Sequence, residues 1–302
     1  MKKNVLRFVL ILLGLLVSLA LLAVLAFVIA DRTNGSLVSS GERRTYLLYV
    51  PESYDPATPT PLVITFHGYA QWPAHQEQVS QWNELADEYG FLVVYPSGRH
   101  FPKRWQAGIN DDPGSNPEQD IRFIADLIDQ LAGEYNLDAS RIYANGLSNG
   151  GGMSFILSCE LSERIAAVGL VAGAYLYPWE ACHPSRAVPA VVFHGTADPV
   201  VPFQGGPSQM FDIPFPAIPQ WVASLAGQNG CDSQPEQLPT SGEVSGVRYT
   251  HCAAEVVFYT ITGGGHSWPS GQALPEMIVG HTTHDIDATR VIWNFFVAHP
   301  QP

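Results

Sequence analysis

Apolar residues along this chain fall into three patterns, and each predicts a different kind of element. The first is an unbroken apolar run from residue 8 to residue 30, in which Gly14 and Ser18 are the least apolar members. Such a run is long enough to cross a bilayer as a helix. The second pattern is a set of short apolar runs at residues 62–66, 91–95, 142–144, 167–171, 190–193 and 256–261, most of them rich in Val, Ile, Phe or Tyr. Runs of that length without polar alternation predict strands covered on both faces, as in a parallel sheet. Residues 45–50 predict an antiparallel strand at the edge where the sheet begins. The third pattern has helical period. Val79, Trp82, Leu85, Ala86 and Tyr89 share one face, with Gly90 as a stop, and Ile121, Ile124, Leu127, Ile128 and Leu131 make a stripe on a helix over 118–134. Ile218, Trp221, Val222 and Leu225 form another, and Ala288, Ile292, Phe295 and Phe296 a last one, with Asp287 placed to cap its start. Strand and helix alternate to the C-terminus, which predicts the α/β class.

The pattern divides the chain into an N-terminal segment (1–30), a polar linker (31–41) and one catalytic-sized domain (42–302), without internal repeats. The stretch 199–219 holds six prolines and interrupts the alternation. It predicts an ordered excursion that walls a pocket and limits its length.

Charge narrows the partners. With 15 Lys+Arg against 28 Asp+Glu the chain carries −13, and no basic stripe exists to engage nucleic acid. Lys2, Lys3 and Arg7 precede the apolar run, so they stay in the cytoplasm while everything after Asp31 is translocated. The length of the run favours an uncleaved membrane anchor; a cleaved signal peptide, with Val28 and Ala30 before the cut, is the alternative. Either way the protein is extracytoplasmic, and its four cysteines, Cys159, Cys182, Cys231 and Cys252, are expected as disulfides. Sequence order alone allows three pairings.

The strongest chemical signal is Gly146-Leu147-Ser148-Asn149-Gly150, preceded by a strand-like run and followed by a helix-compatible one. A serine hydroxyl becomes a nucleophile when a sharp turn presents it to a base, and flanking glycines permit that turn. The Asn149 N–H, at the helix start, would face a developing oxyanion. Of ten histidines, His266 stands in a glycine-rich loop directly after the 256–261 strand and is the expected general base. His67 and His194 each end a strand and are expected to make structural hydrogen bonds. Asp198 leaves the 190–193 strand and lies between Ser148 and His266, as a carboxylate that orients the imidazole should. The order Ser, Asp, His is that of α/β-hydrolases. A second oxyanion donor is expected from the loop after the 62–66 strand, at Tyr69 or Ala70.

Three motifs, GLSNGG around Ser148, HGTADPVVPF from His194 and GGGHSWP around His266, resemble the extracellular esterases grouped with polyhydroxybutyrate depolymerases and feruloyl esterases. The likeness runs from about residue 42 to 298, and includes PLVITFHGYA and DIDATRVIWNFF. It implies an α/β-hydrolase fold with a mostly parallel sheet flanked by helices. It further implies a serine esterase that cleaves short-chain, phenolic or hydroxyalkanoate esters through an acyl-serine without metal or organic cofactor. The resemblance also implies the pairs Cys159–Cys182 and Cys231–Cys252.

Weaker features complete the reading. Trp72, Trp105 and Trp268 are candidates to line a substrate cleft. His281, His284, Asp285 and Asp287 read as loop histidines beside capping aspartates rather than a metal site, and Arg99, Lys103 and Arg104 as a solvated loop. Two rival functions share the pattern. One is a serine peptidase of the same fold, the other a binding protein on a hydrolase scaffold.

Overall fold

A computed structural model describes Ser18 and residues 31–108, 117–208, 210–272 and 274–302. The anchor or signal segment, Ser18 apart, lies outside the described residues, and among the described residues no helix is long and apolar enough to cross a membrane.

Among the described residues ten strands form one sheet: β1 (Gly35–Ser39), β2 (Glu42–Tyr49), β3 (Thr60–Phe66), β4 (Leu92–Pro96), β5 (Leu137–Leu147), β6 (Val168–Val171), β7 (Ala190–Gly195), β8 (Glu236–Ser241), β9 (Val244–Tyr249) and β10 (Val256–Ile261). Their spatial order is β1-β2-β4-β3-β5-β6-β7-β10-β9-β8. The six strands from β4 to β10 in that order are parallel, and antiparallel strands close both edges. The fold is that of an α/β-hydrolase. The six parallel strands are the six apolar runs, because strands covered on both faces must be apolar at every position.

Alternation along β3 distributes side chains to the two layers. Leu62, Ile64 and Phe66 enter one apolar cluster with Phe123, Leu127, Ile156 and Trp221. Val63 faces a second cluster with Val79, Trp82, Ile292 and Phe296. The first cluster is covered by α3 (Glu118–Glu134), α4 (Asn149–Glu160) and α5 (Ile218–Gln228), the second by α1 (Pro73–Ser80), α2 (Trp82–Tyr89) and α7 (Ala288–Ala298). The short α6 (Glu276–Val279) lies beside the loop that follows β10.

Two expectations need correction, and two strands are additional. Residues 31–41 are not simply a linker, because Gly35–Ser39 pairs with β2 and forms the sheet edge that residues 45–50 were expected to provide. Ser40 and Gly41, both at positive φ, make the tight turn between them. The stripe from Val79 to Tyr89 is two helices rather than one, broken where Gln81 takes the left-handed conformation at φ 55. Strands β8 and β9 had no apolar run to announce them.

Both expected disulfides are present, Cys159–Cys182 and Cys231–Cys252. They close loops with sequence separations of 23 and 21 residues, and loops of that size are worth about 3 kcal/mol each. The first ties the end of α4 to the segment after β6. The second fixes the end of α5 to the turn before β10.

Candidate active site

The centre of the site is the junction of β5 and α4. Ser148 sits between them at φ 59, ψ −120, a strained backbone that turns the chain sharply and leaves the side chain half-exposed. Two glycines make the turn possible by close approach. A Cβ at Gly146 would come within 2.5 Å of the Gly150 backbone, and one at Gly150 within 2.2 Å of the Phe66 carbonyl. The turn is pinned through backbone alone: Ser148 N–H donates to Val171 O at 2.9 Å, and its carbonyl accepts from Gly152 and Ala174. Among the described residues the Ser148 hydroxyl has no hydrogen-bond partner.

Asp198 and His266 meet at the end of the neighbouring strands. β7 and β10 run parallel, so the turn after Gly195 and the loop after Ile261 emerge side by side. His266 Nδ1 donates to Asp198 Oδ2 at 2.8 Å, with both side chains buried. Asp198 Oδ1 accepts from the N–H groups of Val200 and Val201, each at 2.8 Å. Burial pushes the Asp198 carboxyl up, but the attraction of the His266 ring and the N–H groups that His266 and His194 turn toward it outweigh burial and hold the group well below the usual carboxylate range. It is an anion able to stabilise an imidazolium. The loop carrying His266 is itself tied down, since Gly265 and His266 donate their N–H groups to His281 and Val279 carbonyls.

Ser148 and the Asp198–His266 pair are not joined by a hydrogen bond. They are joined by a wall. Val200 and Val201, which hold the Asp198 carboxylate, also line the cavity at Ser148 together with Tyr69, Asn149, Ala174, Phe211, Ile213 and Phe215. Catalytic hydrogen bonds are commonly long before a substrate binds.

The oxyanion donors divide differently from expectation. The Ala70 N–H is spent on the Lys103 carbonyl at 2.8 Å, so Ala70 is withdrawn. Gly68 N–H is likewise taken, by Gln71 Oε1 at 2.8 Å. Tyr69 and Asn149 keep backbone N–H groups without an acceptor among the described residues, and both line the Ser148 cavity. Behind them His67 donates from Nδ1 to Gly68 O at 2.7 Å and accepts from Gly98 N–H at Nε2. Burial pushes its pKa down to about 3, so the ring is neutral and holds the loop in one tautomer.

Two of the three tryptophans are struts rather than cleft walls. Trp105 is fully buried and donates Nε1–H to His67 O at 3.0 Å, while the Asn149 amide clasps its backbone with bonds of 2.7 and 3.1 Å. Trp268 is 1% exposed and donates to Thr289 Oγ1 at 2.8 Å. Trp72, half-buried, caps the start of α1 and packs on the second cluster. None of the three lines the cavity at Ser148. Burial of this kind is a tertiary property with no local signal.

Beyond the Phe211–Phe215 stretch lies a larger cavity of about 360 Å³. Tyr175, Tyr177, Trp179 and Trp221 give it aromatic walls, Asp212 stands at its edge, and Ile213 is common to both cavities. Its described lining residues include no Lys, Arg or His. The proline-rich excursion therefore does wall the site, as its place after Asp198 suggested.

Five of the remaining candidates make structural bonds. Asp287 accepts from Arg290 N–H as the cap of α7, Asp285 accepts from Glu243 N–H, and His281 pairs with Glu243. Arg99 pairs with Glu42 and Lys103 with Asp31.

Comparison with known proteins places this geometry in context. The family described as esterase PHB depolymerase matches residues 44–206. "Putative esterase NocK" of Nocardia uniformis subsp. tsuyamanensis is 31% identical over 290 residues, covering 89% of this chain and 83% of that protein. Feruloyl esterase C of Emericella nidulans is 26% identical over 273 residues, covering 88% and 87%. Among solved structures, an acetyl xylan esterase from Aspergillus awamori superposes with a TM-score of 0.60 at 18% identity, over 83% of this chain and 93% of that one. That last likeness is one of fold.

Proposed function

The chain belongs to the esterase PHB depolymerase family and is a carboxylic ester hydrolase, and from that premise we propose that Ser148 is its nucleophile and a short-acyl ester of a neutral, ring-bearing alcohol its substrate. The observation that carries the mechanism is the buried 2.8 Å bond from His266 to a carboxylate whose other oxygen is held by two backbone N–H groups. In this reading Asp198 fixes His266 with its Nε2 free to take the Ser148 proton as the hydroxyl attacks the ester carbonyl. The N–H groups of Tyr69 and Asn149 receive the oxyanion. His266 then protonates the departing alcohol, and activates water to release the acid from the acyl-serine.

Substrate class follows from the two cavities. The one at Ser148 is about 20 Å³ and is walled mainly by Val200, Val201, Phe211, Ile213 and Phe215. A space that size accepts about one or two water-sized groups, which suits the methyl of an acetyl ester. The 360 Å³ cavity across Ile213 has the volume of a small-molecule site, and its aromatic faces suit the C–H face of a sugar or a similar ring. Asp212 at its edge and a net charge of −13 work against anionic oligomers. The two disulfides support export to an oxidising compartment, with segment 1–30 as signal or anchor.

Specificity constants over a panel of 4-nitrophenyl acetate, butyrate and palmitate, methyl ferulate, an acetylated methyl xyloside and an oligomer of 3-hydroxybutyrate test the substrate reading. Acetyl is expected to exceed palmitoyl by at least about 100-fold, with the acetylated xyloside ahead of the anionic oligomer. A fastest rate with ferulate or palmitate would contradict the assignment of the small cavity to the acyl group.

A further inference from the structure

His194 is the last residue but one of β7, four residues before Asp198, and its ring is fully buried. Its Nε2 stands 2.9 Å from the Val201 carbonyl and 3.3 Å from Asp198 Oδ2, the same oxygen that accepts from His266. Both neighbours can only accept, so Nε2 must carry the hydrogen. Nδ1 is buried with no partner among the described residues. A second proton there would be an unpaired buried donor, which costs free energy, so the arrangement selects one neutral tautomer.

That tautomer does two things at once. It places an N–H 3.3 Å from the same Asp198 oxygen that accepts from His266, an electrostatic contact that favours keeping that oxygen turned toward the imidazole. It also grips the carbonyl of Val201, whose N–H holds Asp198 Oδ1 and whose side chain lines the cavity at Ser148. The turn from Asp198 to Val201 is thereby held at both ends by His194, through its hydrogen bond to Val201 and its contact with Asp198. A second imidazole that only filled space at a strand end would not need both acceptors on one nitrogen.

We propose that His194 is a positioning residue for this esterase: as a neutral Nε2–H donor it aligns Asp198 with His266 and sets the Val201 wall of the acyl pocket. The proposal rests on the reading of Asp198 and His266 as catalytic partners of Ser148.

The test compares His194→Gln with His194→Asn in the full chain. A glutamine amide reaches the place of Nε2, whereas an asparagine amide reaches only that of Nδ1. Expected for His194→Asn is a fall in kcat for 4-nitrophenyl acetate of about 10- to 100-fold, with the unfolding midpoint close to that of the native chain. His194→Gln is expected to stay within about threefold of native kcat. Titration with a fluorophosphonate separates this idea from the triad itself, because native protein that fails to react would sink the triad whatever the variants do. Imidazole 15N shifts of the native protein give a readout independent of folding of any variant. They should report a protonated Nε2 and a bare Nδ1 for His194, assigned by the signal lost in His194→Gln. Native-like kcat in His194→Asn, a glutamine variant as slow as the asparagine one, or the opposite tautomer would each overturn the proposal.

Discussion

Ser148→Ala is expected to lower kcat for an acetyl ester by at least about 10⁴-fold while the protein unfolds at nearly its native temperature. The two halves of that expectation have separate causes. Turnover disappears because, among the described residues, no other aliphatic hydroxyl shares the cavity with the Tyr69 and Asn149 N–H groups; Tyr69 contributes a phenol, and the remaining lining is amide or apolar. The fold persists because the serine hydroxyl has no hydrogen-bond partner among the described residues and the turn is held through backbone atoms that alanine also has. Alanine at φ 59 carries the same strain as serine. Steady-state kinetics and a thermal melt on one preparation check both halves. Retention of more than about a tenth of native turnover would rule out Ser148 as the nucleophile.

For Asp198→Asn the expected loss is about 10³- to 10⁴-fold in kcat, from a side chain of nearly identical shape. The carboxylate accepts from two N–H groups at Oδ1 and from His266 at Oδ2, with the His194 Nε2–H 3.3 Å from that second oxygen. An amide can keep the bonds at Oδ1 only by turning its NH2 toward two ring N–H groups, placing donor against donor. His266 must then give up its bond or adopt the other tautomer, with the hydrogen on the nitrogen that should accept from Ser148. Kinetics across the pH range of native activity, set beside the melting temperature, tests this. An asparagine variant with more than about a tenth of native kcat would mean that the negative charge at 198 is not what orients His266.

How much of this was legible in the sequence follows from where each signal is stored. The parallel strands are covered on both faces, so the sequence must write them as apolar runs, and the residues 256–261 run is β10 to the residue. β8 carries exposed residues at almost every position, so its pairing with β9 comes from backbone hydrogen bonds that leave no trace in composition. β1 did leave a trace, the Ser40-Gly41 turn, which the polarity of the surrounding segment obscured. In the site, Ser148, Asp198 and His266 stand in short motifs because each must be at a strand end with a tight turn. The choice between Tyr69 and Ala70 was not readable, since it depends on a carbonyl at Lys103, thirty-odd residues away in the chain. The tryptophans show the same limit, because large aromatic side chains are written alike whether they pack or bind. His194 was read as a structural histidine by its position at a strand end, and only the fold brings its ring against Asp198.

The most direct test of the account is covalent. A fluorophosphonate reacts with a serine that is activated by a base and faced by oxyanion donors, and it leaves a stable adduct of known mass. The protein, treated with the reagent and digested, is expected to carry one adduct per chain, on the peptide containing Ser148, with ester hydrolysis lost in proportion and no adduct in Ser148→Ala. An adduct on another residue, or full esterase activity in protein that never reacts, would contradict the central claim.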